Sequence, residues 1–356
     1  MIRVLLVDDS PVAVTILKRM LSKSSEITVV GTAPNGMEAL RLIPQVKPEV
    51  ICTDLHMPVM DGLEFTKEVM ARHPLPILLV SISGREGSIN AFKVLEAGAV
   101  DIFLKPRASF ELDYETLAPE LILKIRILSG VRVFRRTRRD SASGIRASDT
   151  EAATKIRLPN STVRIIVIGA STGGPQALQT ILTNLPSDFP LPIICIQHIS
   201  EGFQQGLVDW LSSQCRMNVE IAKAGAVPQP GTIYFPQEET HLKIDGTGRF
   251  VLSTEPPFDG HRPSVTVTMK AVAEYYGNSA VGVLLTGMGK DGAEGLLDIK
   301  QAGGITIAQD EASSIVFGMP KQAIELNAAG YIAPLDEIGP MILKFVLQLL
   351  EGKEKT

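Results

Sequence analysis

Short aliphatic and β-branched runs alternate with helical patterns along both halves of this chain, and that alternation constrains the fold more than any other feature. The first series runs "RVLLVDD", a helical stretch from Pro11 to about Lys23, "TVVGTA", a second helical stretch around Met37 to Ile43, then "VICTD", "PILLVSIS" and "DIFLKP". Strands separated by helices in this rhythm predict a parallel sheet covered on both faces, since strands that meet water on neither side read as unbroken apolar runs. A second series starts at "VRIIVIGAS" and continues through "LPIICIQH", "AVGVLLTG" and "GGITIAQ". Between its members, "GTIYFPQ", "HLKID" and "RFVLS" read as a small antiparallel insert turning at Asp245-Gly246. The expected fold class is therefore α/β, with two doubly wound units.

At 356 residues the chain is long for one core, which also favours two domains. The pattern fails near Gly130, where "GVRVFRRTRRDSASGIRASDTEAATKIRLPN" is rich in Arg, Ser, Ala and Thr. The expected boundaries are a first domain at 1–127, a linker at 128–160 and a second domain at 161–352. A flexible linker of this size would span about 30 Å, and the arginines from Arg132 to Arg139 read as the solvated end of a helix. A net charge of −4 offers no general attraction to nucleic acid. Three widely spaced cysteines, Cys52, Cys195 and Cys215, suit a reducing compartment rather than a disulfide scaffold. No apolar stretch approaches the roughly 18 to 20 residues that span a bilayer, and "MIRVLLVDDS" turns acidic too early for a signal peptide. The expectation is a cytoplasmic protein with neither nucleic acid nor membrane insertion among its partners.

In the first unit, Asp8 and Asp9 end the first strand, Asp54 the third, Ser81 the fourth, and Lys105-Pro106 follow the fifth. A parallel sheet brings these strand ends to one edge. Clustered carboxylates call for a hard cation such as Mg²⁺, which can also hold a phosphate, while a hydroxyl and an ammonium neutralise the remaining oxygens. An N-cap role explains one of these aspartates but not the set. Together, "LLVDDSP", "DLHMPVMDG" and "FLKP" resemble the flavodoxin-like receiver domain of two-component response regulators over about residues 1 to 125. The resemblance implies Asp54 as phosphoacceptor, Asp8, Asp9, Asp54 and the main-chain carbonyl of His56 around Mg²⁺, and Ser81 and Lys105 against the phosphoryl group. His56 stands where an acidic residue is frequent, and Ile102 where an aromatic one is.

"GASTG", Gly169 to Gly173, has the G-x-S-x-G spacing of a nucleophile elbow, but five residues alone leave Ser171 open as nucleophile, as part of an anion-binding loop, or as a plain tight turn. A serine nucleophile needs a base and a carboxylate to orient it. The chain has five histidines; outside the first unit they are His198, at the end of "LPIICIQH", His241 and His261. Asp291, in "LLTGMGKDGAEG", is the carboxylate candidate, with a helix N-cap as its plainer reading. Taken together, "GASTGG", "CIQHI", "HRPSV", "GMGKDGAEG" and "QDEASSIVFGMP" resemble the catalytic domain of the chemotaxis protein-glutamate methylesterases, the CheB family. That resemblance implies Ser171 as nucleophile, His198 as general base, Asp291 as its orienting carboxylate, and Thr172 and Met288 as oxyanion donors. It also implies methyl-accepting chemotaxis receptors as substrates, glutamine deamidation as a second activity, a chemotaxis-type histidine kinase as phosphodonor, and no metal for the ester step. A transcriptional regulator would carry a basic helix-turn-helix output instead, and a non-catalytic docking module would have no use for the full set of Ser171, His198 and Asp291.

Overall fold

The structure, a computed structural model, describes residues 1–82, 85–106, 111–131 and 163–353. Its first unit runs β1 (Ile2–Val7), α1 (Pro11–Leu21), β2 (Ile27–Ala33), α2 (Gly36–Val46), β3 (Val50–Thr53), α3 (Gly62–Arg72), β4 (Ile77–Ser81), α4 (Arg85–Ala97), β5 (Asp101–Leu104) and α5 (Glu111–Ser129). The strands pair in parallel in the order β2-β1-β3-β4-β5. Helices begin where the sequence supplies caps: the Ser10, Asn35 and Asp61 side chains accept from the backbone N–H groups of Ala13, Glu38 and Glu64.

The second unit runs β6 (Ile165–Ala170), α6 (Gly174–Leu182), β7 (Ile193–Gln197), α7 (Gln204–Ser212), β8 (Asn218–Ile221), β9 (Thr232–Phe235), β10 (His241–Ile244), β11 (Phe250–Ser253), α8 (Val265–Tyr276), β12 (Ala280–Leu284), α9 (Ala293–Gln301), β13 (Ile305–Gln309), α10 (Met319–Glu325), β14 (Tyr331–Ala333) and α11 (Leu335–Lys353). Its main sheet is parallel, in the order β14-β13-β12-β6-β7-β9-β8. From β6 the chain first builds outward through β7 and then crosses back to lay β12 on the other side. The C-terminal end of β6 is thus a topological switch point, where α/β sheets open a crevice.

The expected antiparallel insert is smaller than its sequence suggested. Among the described strands, only β10 and β11 pair antiparallel, closing through 245–249. The run "TIYF" is β9, a strand of the main sheet between β7 and β8. All four of its residues are buried, which an interior parallel strand requires and a two-stranded hairpin open to water does not. α5 continues to Ser129, and the remainder of the expected linker, with the Arg132–Arg139 cluster, lies outside the described residues. Among the described residues, no helix is long and apolar enough to cross a membrane.

The two units pack on each other. Phe92 of α4 stacks on Trp210 of α7, ring centroids 5.4 Å apart. The Gln176 side-chain amide at the start of α6 donates to Ala99 O at 2.7 Å. Buried apolar side chains of both units join in one continuous cluster.

Candidate active site

Ser171 is the first residue beyond β6, and neighbouring strand ends hold it in place. Its N–H donates to Thr286 O at 3.0 Å. The Gln197 amide donates to Ser171 O and to His198 O, both at 2.8 Å, fastening the ends of β6 and β7 together. Two positions there admit only glycine. Gly173 has a φ of 77°, in the left-handed region, where the chain turns into α6. A Cβ on Gly287 would lie 2.7 Å from Ser171 Cβ and 2.3 Å from Met319 Sδ. A short strand-to-helix corner thus leaves the serine side chain at the sheet edge, the corner closed by Gly174 N–H donating to Ser171 O at 2.8 Å.

His198 follows β7 on the same edge, and its Nε2 lies 2.8 Å from Asp291 Oδ2. Asp291 is almost fully buried and accepts three further hydrogen bonds: from Ser264 Oγ to Oδ1 at 2.8 Å, from Val265 N to Oδ2 at 2.7 Å and from Thr266 N to Oδ1 at 3.0 Å. The donors at 265 and 266 are orphan N–H groups in the first turn of α8. Asp291 therefore does cap a helix, though not α9, which it precedes. Burial alone would raise its carboxyl; the bonds from His198, Thr266 and Ser264 outweigh that and hold it well below the usual carboxylate range. An ionised carboxylate only accepts, so the Nε2 facing it carries the proton. The lone pair of His198 is then on Nδ1, which is buried and has no hydrogen-bond partner.

Ser171, Thr172, His198 and Met288 line one cavity of about 550 Å³. His261, from the loop between β11 and α8, stacks flat on His198. His241 lies beneath that loop, accepting from Ser264 N at 3.2 Å through Nδ1, with Nε2 3.2 Å from Pro256 O. It is a buried support for the loop. Part of the cavity's wall comes from the first unit: Glu120, Leu123, Lys124 and Ile127 of α5. Asp101, at the start of β5, accepts from Thr172 Oγ1 at 3.1 Å and pairs with Lys124 at 2.7 Å. Ser200 Oγ donates to Glu120 at 3.3 Å.

In the first unit, the Asp8, Asp9 and Asp54 carboxylates converge, their ligand atoms within 4.8 Å of one another. Lys105 Nζ lies 2.7 Å from both Asp8 Oδ2 and Asp54 Oδ2. Burial raises the Asp54 carboxyl against the lowering pull of Lys105, whereas for Lys105 the bonds to Asp54 and Asp8 outweigh burial and raise its ammonium. Ser81 ends β4 buried beside this edge. The His56 side chain is exposed. Three carboxylates, one nearby ammonium and no soft donor fit a hard divalent cation such as Mg²⁺. Ile102 is buried in β5.

A family model described as CheB methylesterase matches residues 166–342, and one described as response regulator receiver domain matches residues 4–114. Protein-glutamate methylesterase/protein-glutamine glutaminase 2 of Methanospirillum hungatei is 43% identical over 99% of this chain and 100% of its own. The enzyme of that name from Nitrosospira multiformis is 39% identical over 99% of both chains. The chain belongs to the CheB methylesterase family. The crystal structure of the Thermotoga maritima CheB methylesterase catalytic domain matches at 38% identity with a TM-score of 0.50, covering 53% of this chain and all of that one.

The second unit is thus a CheB methylesterase domain and the first a receiver domain. Of the residues the sequence singles out, Ser171, Thr172, His198 and Met288 line one cavity, and Asp291 is buried and bonded to His198. Sequence reasoning had missed Gln197 and Thr286, ordinary polar residues whose fastening role has no sequence signal. Asp291, with its lowered native pKa, stabilises the fold fully above the unfolded value of about 3.9, and that contribution disappears as pH falls through the native value. Asp291→Asn should therefore lower stability at neutral pH by about 2 to 4 kcal/mol, the gap to wild type narrowing below about pH 4 in denaturant titrations. The same variant should lose about 10³- to 10⁴-fold in hydrolysis, because the amide no longer enforces the His198 tautomer.

Proposed function

We propose that this protein is a phosphorylation-regulated protein-glutamate methylesterase and protein-glutamine glutaminase that acts on the methylated glutamates of chemoreceptors in the cytoplasm. The observation that carries this reading is the fixed polarity of His198. Its Nε2 is committed to Asp291, its Nδ1 is buried without a hydrogen-bond partner, and its side chain lines the same cavity as Ser171. Ser171 Oγ attacks the ester carbonyl as His198 Nδ1 takes its proton, and backbone N–H groups of Thr172 and Met288 receive the oxyanion. His198 returns the proton to the departing methoxide, releasing methanol; water then hydrolyses the acyl-serine and restores the glutamate carboxylate. With a glutamine in place of the ester, ammonia leaves instead.

Asp54 is the proposed phosphoacceptor, with a chemotaxis-type histidine kinase as donor and Ser81 and Lys105 placed to neutralise the phosphoryl oxygens. Asp8, Asp9, Asp54 and the carbonyl of His56 would hold Mg²⁺, which neutralises charge during phosphoryl transfer. The receiver inhibits the esterase by occupying the approach that a receptor helix needs: α5 walls the cavity, and Asp101 ties down the hydroxyl of Thr172. β5 links the two events, because it starts at the interface with Asp101 and leads into Lys105 at the phosphorylation edge, about 13 Å away. Engaging Lys105 with a phosphoryl group withdraws it from Asp8 and Asp54 and biases the strand, and a change of about 1.4 kcal/mol in docking shifts the covered-to-open ratio tenfold.

Methanol release from methyl-labelled receptor membranes tests the chemistry: Ser171→Ala should release none while keeping its fold, and release at the wild-type rate would sink the esterase mechanism. Asp101→Ala tests the regulation. In the unphosphorylated full chain it should raise activity several-fold, to at most about tenfold, by removing a charged hydrogen bond from the interface. Asp54→Ala should stay at the basal rate with phosphodonor and Mg²⁺ present.

A further inference from the structure

His198 makes one side-chain hydrogen bond, to Asp291, and one bond leaves an imidazole free to rock about that contact. A second contact removes that freedom. His261 lies face to face with it, ring centroids 3.9 Å apart and planes 5° from parallel. The loop that carries His261 is anchored on both sides. Phe258 N donates to His261 O at 3.1 Å and His261 N to Phe258 O at 2.9 Å, closing a turn through Asp259 and Gly260, both at positive φ. Arg262 pairs with Glu239 at 2.7 Å, and Ser264, just beyond, bonds both His241 and Asp291.

We infer that His261 is a positioning residue for the hydrolysis, an uncharged aromatic plate that holds the His198 ring in its working orientation and faces the positive charge that ring acquires. This rests on the esterase reading above, in which His198 becomes an imidazolium as Ser171 attacks. A neutral π face favours a cation laid against it, whereas a second imidazolium would repel it. The groups facing His261 are His198 and Asp291 from the sheet edge and Asp259 from its own turn; the cavity around it adds Arg262, Glu239 and Glu201, with Glu120 and Lys124 opposite on α5. Burial and the neighbouring His198 outweigh Asp291 and Asp259 and pull His261 down to about 4, so the plate is uncharged at neutral pH.

The test compares wild type, His261→Ala and His261→Phe in the phosphorylated full chain, reading kcat and KM for methanol release from methyl-labelled receptor membranes. His261→Ala should lower kcat about tenfold, with KM within twofold. His261→Phe keeps a flat ring and has no nitrogen; it should recover most of the lost kcat. A kcat for His261→Ala within twofold of wild type overturns the inference, as does equal impairment of both variants, which would mean that a ring nitrogen and not the face matters. Where the alanine variant fails to fold by circular dichroism, the phenylalanine variant decides. Ser171→Ala, run alongside, separates the two levels: full activity there overturns the esterase reading and this inference with it. An inactive Ser171→Ala beside an unimpaired His261→Ala overturns this inference alone.

Discussion

The second domain depends most on one buried carboxylate. Asp291 satisfies two N–H groups in the first turn of α8, takes the hydroxyl of the α8 N-cap residue Ser264, and receives the proton-bearing nitrogen of His198. A buried charge of this kind is costly unless every lone pair is used, and here four donors use them. The same four bonds join three parts of the chain that are far apart in sequence: the loop after β12, the start of α8 and the end of β7. Folding and the proposed chemistry thus draw on one electrostatic arrangement: His198 and the start of α8 together keep Asp291 ionised, and the ionised carboxylate dictates that the His198 nitrogen facing it carries the proton.

The receiver domain uses the same means at lower commitment. Asp101 is half-buried and bridges Lys124 of its own domain and Thr172 of the other. Both of its partners can return to water, so the bond contributes little net stability compared with the Asp291 network. That difference suits the two roles. A proposed triad must not rearrange between turnovers, whereas the proposed cover must release in response to one phosphoryl group. One apolar contact of the interface, Phe92 on Trp210, joins α4 and α7, and neither ring lines the cavity.

Much of this was legible in the sequence. Parallel strands leave long apolar runs because both faces are buried, so β1, β3, β4, β6, β7, β12 and β13 were visible, and chemistry at their C-terminal ends follows from parallel topology. The short strands β8 and β14 were not seen, because "NVEI" and "YIA" are edge segments only partly buried and carry little apolar signal. "TIYF" was seen but assigned to the wrong sheet: its neighbours in sequence are turns and a hairpin, and only burial on both faces distinguishes it.

The limits of the sequence at the site have one physical origin. A motif marks residues whose chemistry is scarce, such as a serine between glycines or a histidine at a strand end, and is silent on residues that act through geometry. His261 lies in the quoted run "HRPSV", yet nothing in five letters places its ring 3.9 Å above that of His198, 63 positions earlier. Asp291 was open to two readings, a carboxylate for histidine or a helix cap, treated as alternatives. The structure makes them one: the helix being capped is α8, reached through space, and its capping bonds join the bond from His198 in holding the carboxylate ionised. Short-range pattern can propose that a residue is polar and buried, but which distant N–H groups make that burial tolerable is decided by the sheet order.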